Sequence, residues 1–445
     1  MYIGQEILLV SPVTVVLRLL ELIREIHFWN SIAFSLLRIA GGFILALLIS
    51  VLLGSVSTRF HRIREFLTPL VLTAKTIPVA SFVVLILLWI SSRNLSVFIS
   101  FLMVFPILYT SILNGIENTS LKLLEMAVVF RISNWRKIRY IYSFSIAPFF
   151  YTACQVALGL CWKAGTAAEI IGIPKGSIGE KLYQSKIYMN SPDLFSWTVV
   201  IILISFLFEK GFLFVLRHLV KMLEQKSLQS HRTPHRTFIE PNSRTTTDLK
   251  LSDKIQCIHI SKSFGEKVVF SDFSAVFPIG KTSVLTGLSG QGKTTLLRLL
   301  TGLDVPDTGE IRGITNQKIS IVFQEDRLCE NLNPIQNIRL VTRQKISAEE
   351  IQKTMARINL TGCENQPVRE FSGGMRRRVA LLRALYADFD ILLLDEPFKG
   401  IDYQTIEKTV QLILERTKGK TVIMISHEKL PDMLKADHEI QISLH

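Results

Sequence analysis

Two folds in series are predicted from this chain: an all-α transmembrane domain, then an α/β domain built on a parallel sheet. Three observations predict them. Apolar stretches lie near residues 32–54, 67–90, 95–113, 141–162 and 194–216. Further on, GLSGQGKT, Gly287 to Thr294, sets two glycines, a lysine and a hydroxyl residue at the spacing of a phosphate-cradling loop. An apolar run from Ile391 to Leu394 then ends in Asp395 and Glu396, the pattern of a buried parallel strand that delivers carboxylates to its C-terminal end.

Each apolar stretch is long enough, at about 20 residues, to cross the hydrocarbon core as a helix. A hydrophobic content of 48% and a mean hydropathy of +0.33 average this half with a polar second half. None of the stretches has the flanks and cleavage site of a removable signal peptide. The segment Ile7 to Ile26 has a helical pattern but carries Pro12, Arg18, Glu21, Arg24 and Glu25. A charge at mid-membrane costs about 2.5–3.5 kcal/mol on insertion scales, so this segment is predicted to lie at the interface as an amphipathic helix.

Charge sets the expected orientation. Arg59, Arg62 and Arg64 follow the first stretch, cations crowd Lys122 to Arg139, and Arg217 and Lys221 follow the last. These loops are expected inside, Ser91–Asn94 and the loop from Lys163 to Asp193 outside. An odd number of spans then puts the N-terminus outside. Arg38, Lys75 and Glu169 lie in or beside apolar stretches. Ionised groups there either face a pore or a partner, or sit at interfaces, Arg38 and Lys75 by snorkelling and Glu169 as a helix-end cap.

The expected domains are a membrane domain over 1–220, a polar linker over 221–254 and the α/β domain over 255–445. The linker is rich in Ser, Thr, Pro, His and Arg with little apolar periodicity. The five cysteines show no CxxC spacing, which points away from a zinc site or a disulfide framework. A formal net charge of +14 is spread over loops, linker and α/β domain, so anionic lipid is the expected partner and not nucleic acid.

The loop Gly287, Leu288, Ser289, Gly290, Gln291, Gly292, Lys293, Thr294 and the following Thr295 is expected to bind ATP phosphates through backbone N–H groups. Lys293 reaches the terminal phosphates and the Thr294 hydroxyl ligates Mg²⁺. Asp395 suits a water-mediated hold on Mg²⁺, and Glu396 suits orienting an attacking water. Alone, an Asp-Glu pair after a strand is commonly a helix N-cap. Between the two motifs lies FSGGM, Phe371 to Met375, where Ser372, Gly373 and Gly374 open a helix with unobstructed N–H groups able to face an anion. Alone, it reads as a glycine turn before the solvated basic run Arg376–Arg378.

Here the chain resembles the ATP-binding cassette family. FSGGM is similar to the family's signature motif, with Phe371 and Met375 in place of the commoner Leu and Gln. The order of motifs around it is also the family's. Phe264 in SKSFGEK resembles the aromatic that stacks on adenine, and Gln324 in VFQEDRL the Q-loop glutamine that senses Mg²⁺ and the membrane domain. Asp402 resembles the D-loop aspartate, although Lys399 and Gly400 depart from the usual small pair, and His427 in MISHE resembles the switch histidine. The resemblance implies an α/β P-loop NTPase fold, ATP and Mg²⁺ as cofactors, and catalysis by Glu396, His427 and Gln324.

The first half resembles the permeases of binding-protein-dependent importers, in the group handling aliphatic sulfonates, taurine, nitrate and thiamine-precursor pyrimidines. The likeness covers roughly residues 9–217 and rests on SPVTVVLRLLELI, SLLRIAGG, TAKTIPVASFVVLILLW and EMAVVFRISNWRKI. The last is similar to the EAA coupling loop, near 121–139, with Glu125 and Ala127 matching and Arg131 where glycine is usual. Glycine tolerates positive φ and arginine resists it. Family permeases carry one more N-terminal span, so the chain looks shortened at its start.

Together the resemblances imply a fused permease and ATPase in the cell membrane, its ATPase domain cytoplasmic. Family ATP sites pair the P-loop of one cassette with the signature of another, which implies a homodimer. They also imply a separate extracytoplasmic binding protein that delivers a small-molecule substrate. An exporter, or a membrane-bound regulatory protein that binds ATP without transport, are the alternative functions.

Overall fold

The computed structural model describes residues 10–229, 254–288, 290–342, 346–426 and 436–442. The chain divides into two compact units, one of residues 1–119 with 142–223, the other of residues 120–141 with 224–445. The segment 120–141, which lies in the chain between two membrane helices, therefore belongs to the second unit.

The first unit is helical. It contains α1 (Pro12–Leu22), α2 (Ile26–Arg59), α3 (His61–Thr76), α4 (Val79–Ile86) and α5 (Ser92–Glu117). After the excursion into the second unit come α8 (Ser143–Gly172), α9 (Ile178–Ile187) and α10 (Ser191–Gln229). Among the described residues, four helices are long and apolar enough to cross a membrane, namely α2, α5, α10 and the run Asn134–Gly172 that ends in α8.

The expected second span is broken. Helices α3 and α4 meet at a 108° bend. The cause is local: Ile77 precedes Pro78 and takes an extended conformation, φ −65° and ψ 126°, because the proline ring disfavours helix in the residue before it. Counted as one broken span, the pair brings the number to five.

Helix α1 begins at a Ser11 cap, whose hydroxyl accepts from the Val13 N–H at 3.2 Å, with Pro12 in the first turn, where its missing N–H costs nothing. Val15 and Leu22 are buried while Val13, Val16, Leu17 and Leu20 are exposed, so one apolar face is uncovered among the described residues. Arg18 pairs with Glu21 at 2.8 Å and with Asp193 on α10.

The core of this unit sits where α2, α5 and α8 meet, around Phe43, Leu108 and Leu158. Small hydroxyl residues line the contacts, as expected where helices pack closely in lipid. Ser57 receives the Tyr109 hydroxyl at 3.0 Å.

The three charged residues flagged in the spans have partners. Arg38 donates to the carbonyl of Arg93 and, at 3.3 Å, to Asn94. The Lys75 ammonium lies 3.5 Å from the Thr110 hydroxyl. Glu169 is fully buried and accepts from the Ser35 hydroxyl at 2.6 Å and from the Gly179 N–H at 3.4 Å, at the start of α9. Helix α10 runs to Gln229, past residue 220, so the first part of the expected linker is helical; residues 230–253 lie outside the described residues.

The second unit begins with α6 (Leu121–Val129) and α7 (Asn134–Lys137). Its α/β part has two sheets. An antiparallel one, in the order β2 (Lys267–Pro278), β1 (Lys254–Phe264), β4 (Thr308–Arg312), flanks a parallel one. The parallel sheet runs β5 (Ile319–Val322), β6 (Ile391–Asp395), β7 (Thr421–Ile425), β3 (Thr282–Thr286), β8 (His438–Gln441).

Helices α11 (Lys293–Leu300), α12 (Pro334–Val341), α13 (Ala348–Arg357), α14 (Gly373–Tyr386) and α15 (Tyr403–Arg416) complete it. Strand β6 is buried along its whole length between β5 and β7, which explains its uninterrupted Ile-Leu-Leu-Leu run. Side-chain caps start four of these helices: Asn333 at α12 in a full capping box, Ser347 at α13, Ser372 at α14 and Asp402 at α15.

Candidate functional site: a phosphate-binding cleft and its anchored loop

The turn between β3 and α11 is the 287–294 loop. Gly292 holds φ +87° just before the first residue of α11, and a Cβ there would come within 2.6 Å of Val269 and 2.8 Å of Phe270. Only glycine serves at that position. Lys293 is 5% exposed, and its ammonium donates to the carbonyls of Gly287 at 2.8 Å and Leu288 at 2.7 Å. Burial pushes its pKa down, against the pull of Asp395 and Glu396. The Gln291 side chain folds back to accept from the Leu288 N–H at 2.5 Å. Ser289 lies outside the described residues.

The two ends of the parallel sheet's central strands converge on this loop. Asp395 closes β6, and its Oδ2 accepts from the Thr294 hydroxyl at 2.9 Å. Glu396 follows with φ +48°, a left-handed conformation that L residues avoid. Its N–H donates to the Ile425 carbonyl at 3.0 Å, and its Oε1 accepts from Gln324 Nε2 at 3.4 Å.

A cleft of about 370 Å³ is lined by Phe264, Gly290, Gly292, Lys293, Thr294, Thr295, Gln324, Asp395 and Glu396 with three neighbours. Phe264 is half-exposed at the end of β1, with the Lys262 ammonium 5.4 Å from its ring centroid. An aromatic at the rim, a buried lysine inside a loop of glycines, and a hydroxyl beside a carboxylate form a donor set that fits a nucleotide with Mg²⁺, a hard cation that prefers oxygen.

Ser372, Gly373, Gly374 and Asp402 are not among the residues lining that cleft. They adjoin one another instead: a Cβ on Gly374 would stand 2.4 Å from the Gly400 carbonyl, two residues before Asp402. His427 lies outside the described residues, just beyond β7.

Several polar residues near the site carried no recognisable signal in the sequence beyond that of Glu125 in the EAA-like loop. Glu125, on α6, receives both guanidinium nitrogens of Arg298 at 3.0 and 2.9 Å and Arg327 Nη1 at 2.6 Å. Arg298 sits on α11 and also grips Asp304 at 2.7 Å, while Arg327 lies three residues after Gln324. Hydrogen bonds from Arg298, reinforced by Arg327, hold the Glu125 carboxyl below the usual carboxylate range despite its partial burial.

Arg377, in a run that read as a solvated helix face, is 2% exposed. Its neighbours are also tied down, Arg376 to Glu330 at 2.8 Å and Arg378 to the Ile358 carbonyl at 2.8 Å. Arg383 is fully buried, caps the carbonyls of Arg327 and Asp326, and is pushed down to about 10 by burial.

Residues 270–399 match the family described as ABC transporter, and residues 21–226 match the family described as binding-protein-dependent transport system inner membrane component. The aliphatic sulfonates import ATP-binding protein SsuB 1 of Nocardia farcinica is 37% identical over 172 residues, which cover 38% of this chain and 69% of that protein. The chain belongs to the ABC transporter family.

Two further relatives in the family are similar over less of their own length. SsuB 3 of Rhodococcus jostii, also an aliphatic sulfonates import ATP-binding protein, is 36% identical over 172 residues, 38% of this chain and 63% of the relative. The sulfate/thiosulfate import ATP-binding protein CysA of Thermosynechococcus vestitus is 34% identical over 197 residues, 40% of this chain and 58% of the relative. The chain thus spans about three-fifths of the length of these two relatives. With its long apolar helices and the permease match ahead of the ATP-binding part, this ABC transporter chain is a multi-pass inner-membrane protein whose cassette faces the cytoplasm.

Proposed function

We propose that this chain is a fused permease and ATPase that imports a small solute at the expense of ATP, working as a homodimer with a separate extracytoplasmic binding protein. The substrate belongs to the sulfonate, taurine, nitrate or pyrimidine-precursor class, in keeping with the permease resemblance and with the aliphatic sulfonate import named for the SsuB relatives. The observation that carries the reading is the triple hold on Glu125. A carboxylate encoded between two membrane helices is fixed to α11, which starts at Lys293, and to the segment just after Gln324.

In this reading Lys293 and the loop N–H groups bind the nucleotide phosphates. Thr294 and, through water, Asp395 would hold Mg²⁺, which when bound would neutralise charge on those phosphates. Glu396 orients a water for attack while Gln324 reports occupancy to the Arg327 segment, because phosphoryl transfer depends on positioning and charge stabilisation more than on covalent help. Ser372 to Gly374 and Asp402, which lie away from the cleft of their own chain, serve the cleft of a second copy. Movement at α11 and after Gln324 then reaches Glu125, and through the chain the membrane helices, as a shift between inward and outward states.

The test is transport in proteoliposomes with cassettes facing the bath, ATP in the bath, and a binding protein with labelled cargo inside. ATP-driven movement of cargo from lumen to bath supports import. Movement from bath to lumen, or indifference to the binding protein, sinks it.

A further inference from the structure

One guanidinium in the second unit touches both loops that the proposed hydrolysis needs. Arg377 Nη1 donates to the carbonyl of Phe323 at 2.5 Å and to Asp326 at 3.2 Å, so it brackets Gln324 from either side. Its Nη2 donates to the carbonyls of Asp395 and, at 2.7 Å, of Glu396. The side chain is 3% exposed, and buried carbonyls such as these need donors. The Gln324 and Glu396 side chains, borne on the two loops so joined, approach to 3.4 Å.

We infer that Arg377 is a positioning residue for ATP hydrolysis, its guanidinium tying the Q-loop backbone to the Asp395–Glu396 backbone and so setting where the Glu396 carboxylate and the Gln324 amide stand. The chemistry favours arginine for this task. Glu396 has φ +48°, a conformation that persists in an L residue only when its surroundings fix it. A planar fork spreads its donors over separate nitrogens in a fixed geometry and so spans carbonyls on two loops, whereas an ammonium gathers its three donors on one atom. Arg377 does not line the nucleotide cleft, so its influence falls on turnover and not on the phosphate cradle.

The inference rests on the reading that this chain hydrolyses ATP through Glu396. The full-length protein in lipid nanodiscs is compared with Arg377→Lys, Arg377→Gln and Glu396→Gln. The measurements are kcat and KM for ATP, affinity for a fluorescent ATP analogue, and thermal unfolding. Misplacement of a catalytic group on the scale of an ångström costs up to about 100-fold, so both Arg377 variants are expected to lose about 10- to 100-fold in kcat. KM and analogue affinity stay within about threefold, the mark of an interaction that matters in the transition state alone.

Folded Arg377 variants with kcat within about twofold of the parent overturn the inference, as does a parallel fall of kcat and analogue affinity. If neither variant folds, Asp326→Asn takes their place, since it loosens the guanidinium while keeping it. A fall of severalfold in kcat at constant KM supports the inference, and an unchanged kcat overturns it. A parent protein with no Glu396-dependent turnover removes the functional reading itself. Normal parent turnover with unaffected Arg377 variants removes the inference alone.

Discussion

Glu125 and Arg298 form a two-pronged ion pair, with both carboxylate oxygens bonded at 2.9 and 3.0 Å. The arginine stands five positions beyond Lys293, on the helix that the phosphate loop opens. Charge-assisted hydrogen bonds contribute about 1.5–3 kcal/mol each, and this carboxylate has a second cation in Arg327. Glu125→Gln keeps the shape but removes the charge. Transport per ATP hydrolysed is therefore expected to fall sharply in proteoliposomes while ATP hydrolysis in detergent persists. Transport that stays in proportion to hydrolysis would count against Glu125 as the coupling link.

The same pair gives a pH expectation. The Glu125 carboxyl is held below its ordinary value of 4.5, first by Arg298. A lowered folded-state pKa means that the stabilisation is fully present above the unfolded value and is lost as pH falls through the folded one. Coupling efficiency should thus stay flat from about pH 5.5 to 8 as far as this pair decides it, with loss only below the ordinary carboxylate range. Measured stoichiometry of transport to hydrolysis across that window checks it. A midpoint near neutrality would assign the control to a different group.

Much of this arrangement was legible in the sequence, for a physical reason. Helices α2, α5, α8 and α10 announce themselves because lipid demands unbroken apolar runs, and the 287–294 loop because backbone phosphate binding demands glycines at fixed local spacing. The α3–α4 bend is written in Ile77-Pro78, a local signal that hydropathy averaged over an apolar stretch does not register. Arg298, Arg327 and Arg377 were not legible. Each acts on groups distant in the chain, so its role exists only after folding, and a basic run at 376–378 has the same composition whether it is solvated or buried.

Replacement of Glu396 by Gln should leave ATP binding intact and nearly abolish hydrolysis, because the water-orienting carboxylate is lost while Lys293 and Thr294 remain in place. Lys293→Ala should instead weaken binding itself, since its ammonium is the buried cation of the loop. Analogue titration and steady-state hydrolysis separate the two. Substantial turnover by the Gln variant, or unchanged affinity in the Ala variant, would contradict the assigned roles.

Gly374→Ala tests the contact between the signature motif and the D-loop. The new Cβ would meet the Gly400 carbonyl at 2.4 Å, a backbone atom with no rotamer to move aside. Overpacking of this kind costs about 1–3 kcal/mol, so the unfolding midpoint should drop and hydrolysis should fall through displacement of Asp402. Nucleotide affinity of the monomeric cassette cleft should hold, since Gly374 does not line it. Parent-like stability and turnover would show that Gly400 yields without consequence.

Arg131 closes α6 in a conformation that glycine ordinarily supplies. Its φ is +50°, its N–H bonds the Val128 carbonyl at 3.0 Å, and the Ile132 N–H bonds the Ala127 carbonyl at 2.9 Å, the hydrogen-bond pattern of a Schellman turn. An L residue in that region costs about 1–2 kcal/mol, and glycine's greater freedom in the unfolded chain returns part of the difference. The Arg131 guanidinium recovers little, since its bond to the Gln317 carbonyl is long, at 3.3 Å, and exposed. Arg131→Gly should therefore stabilise the protein by about 0.5–1 kcal/mol. Arg131→Ala keeps the strained φ and loses the guanidinium, so the expected order of unfolding midpoints is Gly above Arg, and Arg at or above Ala. A Gly variant that melts below both would mean that the guanidinium, and not the turn, sets the stability of this segment.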